Sequence, residues 1–516
     1  MPASSGFGLA ADVGFGAVAL VSACYLMYVG RDSWFFADEW LMAEQVRFPS
    51  GLVKPYNGHL SVLILGLYRG LLEVFGFGDY TPYRLAGVVS FVAVSVAMYV
   101  VMRREVGAVA AVVSGVLLLW PAGLTVEPGG LNHSLAAVGA IVCAYGLNGS
   151  GRRRDLLVTG GLSFALLSTG GGVAVMAATL VHCIVTRPPW RRWILVAVPS
   201  LLWIAWYALA VPDDPALDAF RPDLPDLLSF TFRHFVRSFS SLALGNRFGG
   251  VVVALLVLGV LGSRLRHGIV EAAGTLGWLV ALVVWWFGIA WSRWIAEGFV
   301  FRYEFVSAVF LLLALLPNGA SPTDPRPSRL PWPTPLRRVG SVRAVAPAVM
   351  CLTLLAVVPT SRSDVQAWGE KLGTFGTVQR GKSASLAFER KVADPAGYPG
   401  FAGLLPSQVQ RLFEVFGAPP GYGNPTAYVE QAVHVRPGRR SVCPAGANKV
   451  REVSADRAVL AVAGDEPITV RVKPFDFAPQ VAAEVPARSQ KRLDLAGFGS
   501  KERWTVMVSA GCLLER

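Results

Sequence analysis

Charge is scarce in this chain. Only 16% of its 516 residues are Asp, Glu, Lys or Arg, while 53% are hydrophobic. A soluble globular domain carries about 25% charged residues. The composition therefore excludes an ordinary soluble domain and describes a polytopic membrane protein whose length is spent on many spans. Catalytic signatures are scarce as well. The run Gly170-Gly171-Gly172 is not followed by Lys-Ser/Thr, so there is no Walker A loop. No HExxH, CxxC or Gly-x-Ser-x-Gly occurs, which argues against a zinc protease, a thiol redox enzyme and a serine esterase. No GxGxxG follows a strand, which argues against a soluble nucleotide-sugar domain. The first apolar segment lacks a basic flank and runs too long for a cleavable signal peptide, so none is expected.

Cysteines are few. Cys24, Cys143, Cys183 and Cys351 lie in apolar segments without metal-ligand spacing and read as small packing residues. Cys443 and Cys512 form the candidate disulfide pair, provided their region lies outside the cytoplasm. The net charge of +13 does not point to nucleic acid. Its arginines sit in short loops between apolar segments, where membrane topology explains them.

Apolar windows of spanning character occupy residues 13–30, 85–102, 106–120, 131–147, 156–167, 172–185, 194–211, 249–262, 269–291, 300–316 and 345–358. That gives about 11 transmembrane helices on the rule of roughly 20 residues per span. The two windows flanking Ser168-Thr169-Gly170-Gly171-Gly172 are short and read as two spans or as half-helices meeting at a glycine break. Arg103-Arg104, Arg152-Arg153-Arg154, Arg187 with Arg191-Arg192, Arg264 with Arg266, and the arginines of 326–343 fall on alternate loops. The positive-inside rule makes these loops cytoplasmic. The N-terminus is then cytoplasmic, and the loops 31–84, 121–130, 212–248 and 292–299 and everything after 360 are extracytoplasmic. The expected location is a plasma (inner) membrane.

Residues 1–360 read as the membrane domain and 361–516 as a small extracytoplasmic α+β domain, strand-rich toward its end. In the first outer loop, 31–84, residues 38–46 read as a short helix and 60–75 as an amphipathic helix lying on the membrane surface. The stretch 317–335 reads as a Pro- and Arg-rich linker. Beyond 360, a helix is expected over 366–392, turns at 394–403 and 417–425, and strands at 458–462, 468–472 and 504–509.

Trp34-Phe35-Phe36-Ala37-Asp38-Glu39-Trp40 follows the first span directly. Adjacent carboxylates at a bilayer edge carry a solvation cost that points to function, and the aromatics set them at the lipid–water boundary. A plainer role for Asp38 is to cap the helix that starts there. In the same loop, Tyr56-Asn57-Gly58-His59 offers a polar floor, although Asn57 also suits a cap and His59 a surface position. Glu127 and His133 flank a Gly-rich segment of the second outer loop and suit either a cavity lining or a structural role. Arg302-Tyr303-Glu304 opens a late span. Arg302 either contacts a phosphate, for which its planar fork is suited, or snorkels and pairs with Glu304 or Glu297. Arg233, Arg237, Arg247 and Lys54 are weaker candidates for the same contact.

With Asp38-Glu39-Trp40 after the first span, Asn57-Gly58-His59 before a surface helix and Arg302-Tyr303 at a late span, the chain resembles the GT-C fold glycosyltransferases of actinobacterial type. These polytopic enzymes use polyprenyl-phosphate-linked sugars. The resemblance covers roughly 13–358 in layout and implies an inverting transfer at the outer leaflet, to a cell-envelope glycan or glycolipid. It implies Asp38 as base, with Glu39 as second choice, while Asn57, His59, Glu127, His133, Arg302 and Tyr303 are the candidate substrate contacts offered by the residues themselves. A divalent metal at Asp38 and Glu39 is known for some relatives and is left open here. Two other classes stay in play: a transporter or flippase of lipid-linked saccharides, and a non-catalytic envelope assembly protein. A transporter is expected to show internal repeats and mid-span ionisable residues. An assembly protein would not need the Asp38 carboxylate.

Overall fold

The computed structural model describes residues 5–35, 38–119, 131–211, 223–243, 246–293, 301–317, 366, 406–419, 433–437, 450–454, 458–463, 465–473, 481–487, 490–495, 503–510 and 512–515. Their helices, in chain order, are α1 (Ser5–Val29), α2 (Asp38–Val46), α3 (Val62–Phe75), α4 (Thr81–Glu105), α5 (Ala108–Leu119), α6 (Leu131–Leu147), α7 (Arg152–Leu166), α8 (Gly171–Thr186) and α9 (Trp190–Ala210). They continue with α10 (Leu224–Ser241), α11 (Arg247–His267), α12 (Ile269–Arg293), α13 (Phe301–Ala314) and α14 (Pro406–Phe416). Ten of the eleven apolar windows are helical, and the window at 345–358 lies outside the described residues. Among the described residues, α1, α4, α9, α11 and α12 are long and apolar enough to cross a membrane. Shorter apolar helices coincide with α5, α6, α8 and most of α13.

By contacts the chain forms two compact units. Where the sequence reading set one boundary near residue 360, the units interleave along the chain. The first comprises Met1–Val29, Ser50–Leu67 and Arg84–Trp368, and the second Gly30–Pro49, Tyr68–Tyr83 and Gly369–Arg516.

Small residues set the packing of the first unit. A Cβ added to Gly139 of α6 would lie 2.7 Å from the Gly161 carbonyl of α7, and one added to Gly161 would lie 2.5 Å from the Cys143 backbone nitrogen. Gly146 meets Val158 and Arg154 in the same way. Backbone approach of this kind is how apolar helices gain packing when lipid is as apolar as their side chains. Gly277 of α12 likewise lies against the Ala178 carbonyl of α8. Trp278 and Trp286 of α12 fill the centre, with Trp278 stacked on Phe310 of α13 at 5.7 Å. By contrast, only 11% of the most apolar window of α9 and of α11 is buried, so these two helices turn their side chains outward.

The arginines that set the expected topology also tie helix ends together. Arg192 holds Asp155 at 2.7 Å and donates to the Gly149 carbonyl, while Arg154 lies over the Tyr145 ring. Arg264 of α11 donates to the carbonyls of Ala314 and Leu315, satisfying the C-terminus of α13.

Among the described residues, the second unit contains α2, α14 and eight strands: β1 (Val433–Pro437), β2 (Val450–Ser454), β3 (Ala458–Val462), β4 (Ile468–Lys473), β5 (Val481–Val485), β6 (Gln490–Leu495), β7 (Arg503–Val508) and β8 (Cys512–Glu515). They form two antiparallel sheets, ordered β1-β6-β3-β8 and β2-β7-β4-β5. Ile468, Val470, Val506 and Val508 are buried at every second position, the period expected of a half-covered sheet. The strands expected at 458–462, 468–472 and 504–509 are present to within a residue. Cys512 is disulfide-bonded, while Cys443 and all but Gln366 of the helix expected over 366–392 lie outside the described residues.

Candidate active site

The acidic pair occupies the first turn of α2, where the exposed N–H groups of a helix favour negative charge. The two carboxylates have different surroundings. Glu39 is 2% exposed, whereas Asp38 is half-buried. The Tyr68 hydroxyl donates to Glu39 Oε1, and the Tyr80 hydroxyl lies 3.0 Å from both Oε1 and Oε2. Tyr83 stacks on Tyr80 at 5.7 Å and donates its own hydroxyl to the Gly76 carbonyl. Beside this cage, Trp40 stacks on Phe77 at 5.1 Å, with Phe35 set between Trp40, Phe77, Tyr80 and Tyr83. Burial first, and then the Glu39 carboxylate, push the Tyr68 phenol well above its ordinary value. That contribution to stability is complete below about pH 10 and is lost as pH rises through the folded value.

The cage gives the pair a division of labour. Glu39 is a buried anchor whose oxygens already accept phenolic hydrogen bonds, and Asp38 is the carboxylate at the edge. Glu39 is accordingly a poor fit for a metal's donor set. Among the described residues no group of three or more His, Cys, Asp and Glu is placed to hold a metal ion.

The remaining candidates belong to the first unit. Tyr56-Asn57-Gly58-His59 is a two-residue reverse turn: Tyr56 N–H donates to His59 O at 2.9 Å, and His59 N–H to Tyr56 O at 3.0 Å. Asn57 and Gly58 have φ of 51° and 75°, the pairing that Asn-Gly supplies in a type I′ turn. The backbone explains this dipeptide, and neither a helix cap nor a substrate contact is needed to account for Asn57.

The turn carries the His59 ring to the break between α7 and α8. A Cβ on Gly170 would lie 2.8 Å from His59 Cε1 and Nδ1, and one on Gly171 would lie 3.1 Å from the Trp285 ring. Trp285 in turn meets His133 at 5.6 Å and Tyr303 at 5.9 Å, with His133 and Tyr303 5.3 Å apart between ring centroids. The structure therefore gathers His59, His133 and Tyr303 around the glycine break through Trp285, which the sequence reading did not single out. Gly170→Ala is expected to displace the His59 ring at a cost of about 1–3 kcal/mol. Thermal unfolding in detergent checks the cost, and an unchanged midpoint contradicts the packing described. Arg302 lies in the first turn of α13 with its side chain outside the described residues, and Glu127 lies outside them altogether.

Within 212–248, read from sequence as an outer loop, the structure places α10. Asp223 caps it, accepting from Asp226 N–H at 2.9 Å. Its buried face holds Thr231, His234, Ser238 and Ser241, while Leu224, Leu228, Phe232 and Val236 form an exposed apolar stripe. Leu227 and Phe230 share the buried face, and Arg233 and Arg237 lie exposed beside the stripe. Arg237 of α10 places Nε 2.6 Å from Oε1 of the buried Glu304, while its own side chain stays 58% exposed. Glu304, one of the two carboxylates considered as a partner for Arg302, is paired here with Arg237.

No protein-family model matches the chain, and no curated protein matches it significantly. Among solved structures it is similar to ArnT from Cupriavidus metallidurans in the apo state, at 16% identity and a TM-score of 0.42 over 75% of this chain and 81% of that one. It is also similar to the same protein bound to undecaprenyl phosphate, at 16% identity and a TM-score of 0.43 over 82% and 87% of the two chains. A third likeness is to an Archaeoglobus fulgidus oligosaccharyltransferase in complex with zinc and sulfate, at 14% identity and a TM-score of 0.37, covering 73% of this chain and 56% of that one.

Proposed function

We propose that this protein is an inverting membrane glycosyltransferase that moves a sugar from a polyprenyl-phosphate donor to a cell-envelope glycan or glycolipid, with Asp38 as the base. The observation that carries this reading is the asymmetry of the acidic pair. One carboxylate is locked beneath phenols and its neighbour is left half-buried at a helix N-terminus. A pair kept only for capping needs no such anchor.

In the reaction, the Asp38 carboxylate takes the proton of an acceptor hydroxyl as that oxygen bonds to the anomeric carbon. The bond from this carbon to the phosphate oxygen breaks on the opposite face, and its electron pair leaves with the polyprenyl phosphate. Phosphate is a good leaving group, so no general acid is required. Arg302 stabilises the departing phosphate through its planar fork, and Arg237, beside the apolar stripe of α10, is the second cation of this kind. His59, His133 and Tyr303 contact the sugar. Glu39 takes no proton and positions its neighbour.

The test is transfer of a labelled sugar from a polyprenyl-phosphate donor to an envelope lipid extract in nanodiscs. Arg302→Lys keeps the charge but is expected to slow transfer about tenfold or more, because the bidentate contact is lost. Translocation of intact donor without cleavage of its sugar–phosphate bond would select the flippase reading instead, and neither activity would select the assembly protein.

This reading also needs the acidic pair outside the cytoplasm. An impermeant thiol reagent applied to intact cells is expected to label a Cys at position 223 and to leave Cys at 103, 153, 191 and 266 unmodified. Labelling at 153 overturns the orientation.

A further inference from the structure

The acidic pair rides on a helix that does not hold itself. Helix α2 has nine residues, and isolated helices shorter than about 12–15 residues are marginal in water. Its aim must come from what it packs on. Glu39 is fixed by Tyr68 and Tyr80. Its next residue, Trp40, meets a part of the chain more than three hundred residues away in sequence.

Helix α14 buries Val409, Leu412 and Phe413. The Phe413 ring meets Trp40, the residue after Glu39, at 6.1 Å, and meets Phe77 at 5.3 Å, both edge to face. Trp40 and Phe77 are themselves stacked, with 9° between their planes. The three rings form one aromatic cluster, and Trp40 joins it to the residue that the phenols hold. The end of α14 is seated as closely. A Cβ on Gly76 would lie 2.1 Å from the Phe416 carbonyl oxygen, at a backbone φ of +55° that already favours glycine. The Gly76 carbonyl, in turn, accepts the Tyr83 hydroxyl. Gly417, with φ of +89°, ends the helix there and donates its N–H to the Phe413 carbonyl.

We infer that α14 of the C-terminal segment is a positioning element for the acidic pair, with Phe413 acting through Trp40 and α2 on the aim of Asp38. The inference deepens the reading of Asp38 as base and rests on it for its catalytic consequence. It gives the C-terminal segment a part in the reaction. Phe413 touches no reacting atom, and its effect falls on turnover rather than on donor affinity.

The experiment uses the full chain in nanodiscs and reads two quantities. Phe413→Ala is expected to speed amide exchange over residues 41–46 by at least about tenfold, with α6 to α8 unchanged. It is also expected to lower kcat by about tenfold or more while the donor KM moves less than about threefold, because misaiming a base costs the transition state and not ground-state binding. Phe413→Leu, which refills most of the volume, restores most of both. If Phe413→Ala does not fold, Phe413→Leu is read by itself against the wild type, with smaller shifts of the same pattern expected. Unchanged exchange over 41–46 overturns the inference, and so does a fall in kcat matched by an equal rise in KM. The two readings fail separately. Transfer that survives Asp38→Asn removes the base assignment, while the exchange of α2 still decides whether α14 seats it.

Discussion

Asp38→Asn is expected to yield a folded protein whose sugar transfer falls by roughly 10²–10⁴, the usual worth of a positioned general base. The substitution keeps size and hydrogen-bonding reach at the head of α2. Asn serves a helix N-terminus as well as Asp, and a cap is worth only about 1 kcal/mol. A purely structural Asp38 therefore predicts an unchanged melting midpoint and unchanged turnover. The base predicts the same midpoint and a collapse of turnover. Because the two differ only in rate, the decisive measurement is single-turnover transfer in nanodiscs beside a thermal melt of the same preparation. Near-normal transfer by the variant returns Asp38 to the role of a cap.

The cage around Glu39 carries the largest expected effect on stability. Tyr80→Phe removes a hydroxyl shared between both carboxylate oxygens, and hydrogen bonds to charged groups are worth about 1.5–3 kcal/mol each. Tyr68→Phe is expected to cost a similar amount. The double variant leaves a buried carboxylate stripped of both phenols, a loss of about 3–5 kcal/mol if the charge persists. Glu39→Gln added to the double variant should recover part of that loss, since it removes the charge that the phenols were holding. Alone, Glu39→Gln is milder than Asp38→Asn in transfer, because the amide still accepts a phenolic proton and keeps α2 in place. Thermal melts of the four combinations form a cycle. Strict additivity, with no recovery by Gln, would mean that the phenols do not act on Glu39 together.

Much of the fold can be read along the chain where local signals are strong. Residues 38–46 were expected as a short helix and are α2, and ten apolar windows are helices. The strands at 458, 468 and 504 announce themselves through alternating Val, Ile, Thr and Trp. Gln490-Lys491-Arg492-Leu493-Asp494-Leu495 does not: β6 is a strand because β1 and β3 flank it, and most of its own side chains are polar. Helix α10 was hidden by a different cause. Prolines precede it, and its apolar stripe faces outward, so a reading that turns apolar residues toward protein aims it the wrong way. At the candidate site, the acidic pair is legible as adjacent carboxylates after a span, but its asymmetry is not. Tyr68 and Tyr80 stand 29 and 41 residues from Glu39, and nothing in the local pattern ties them to it. Asn57-Gly58 is the opposite case. Its two residues carry a turn signal that needs no distant partner.

The contact between Trp40 and Phe413 also sets a timetable. The two rings are roughly 370 residues apart in sequence, so at 5–20 residues per second α14 is made some 20–75 s after α2. During that interval the helices α3 to α13 are all made, while the acidic helix waits for the part of its seat that α14 supplies. A chain released after Trp368 and before Pro406 therefore holds every residue of the first unit and still lacks the helix that meets Trp40.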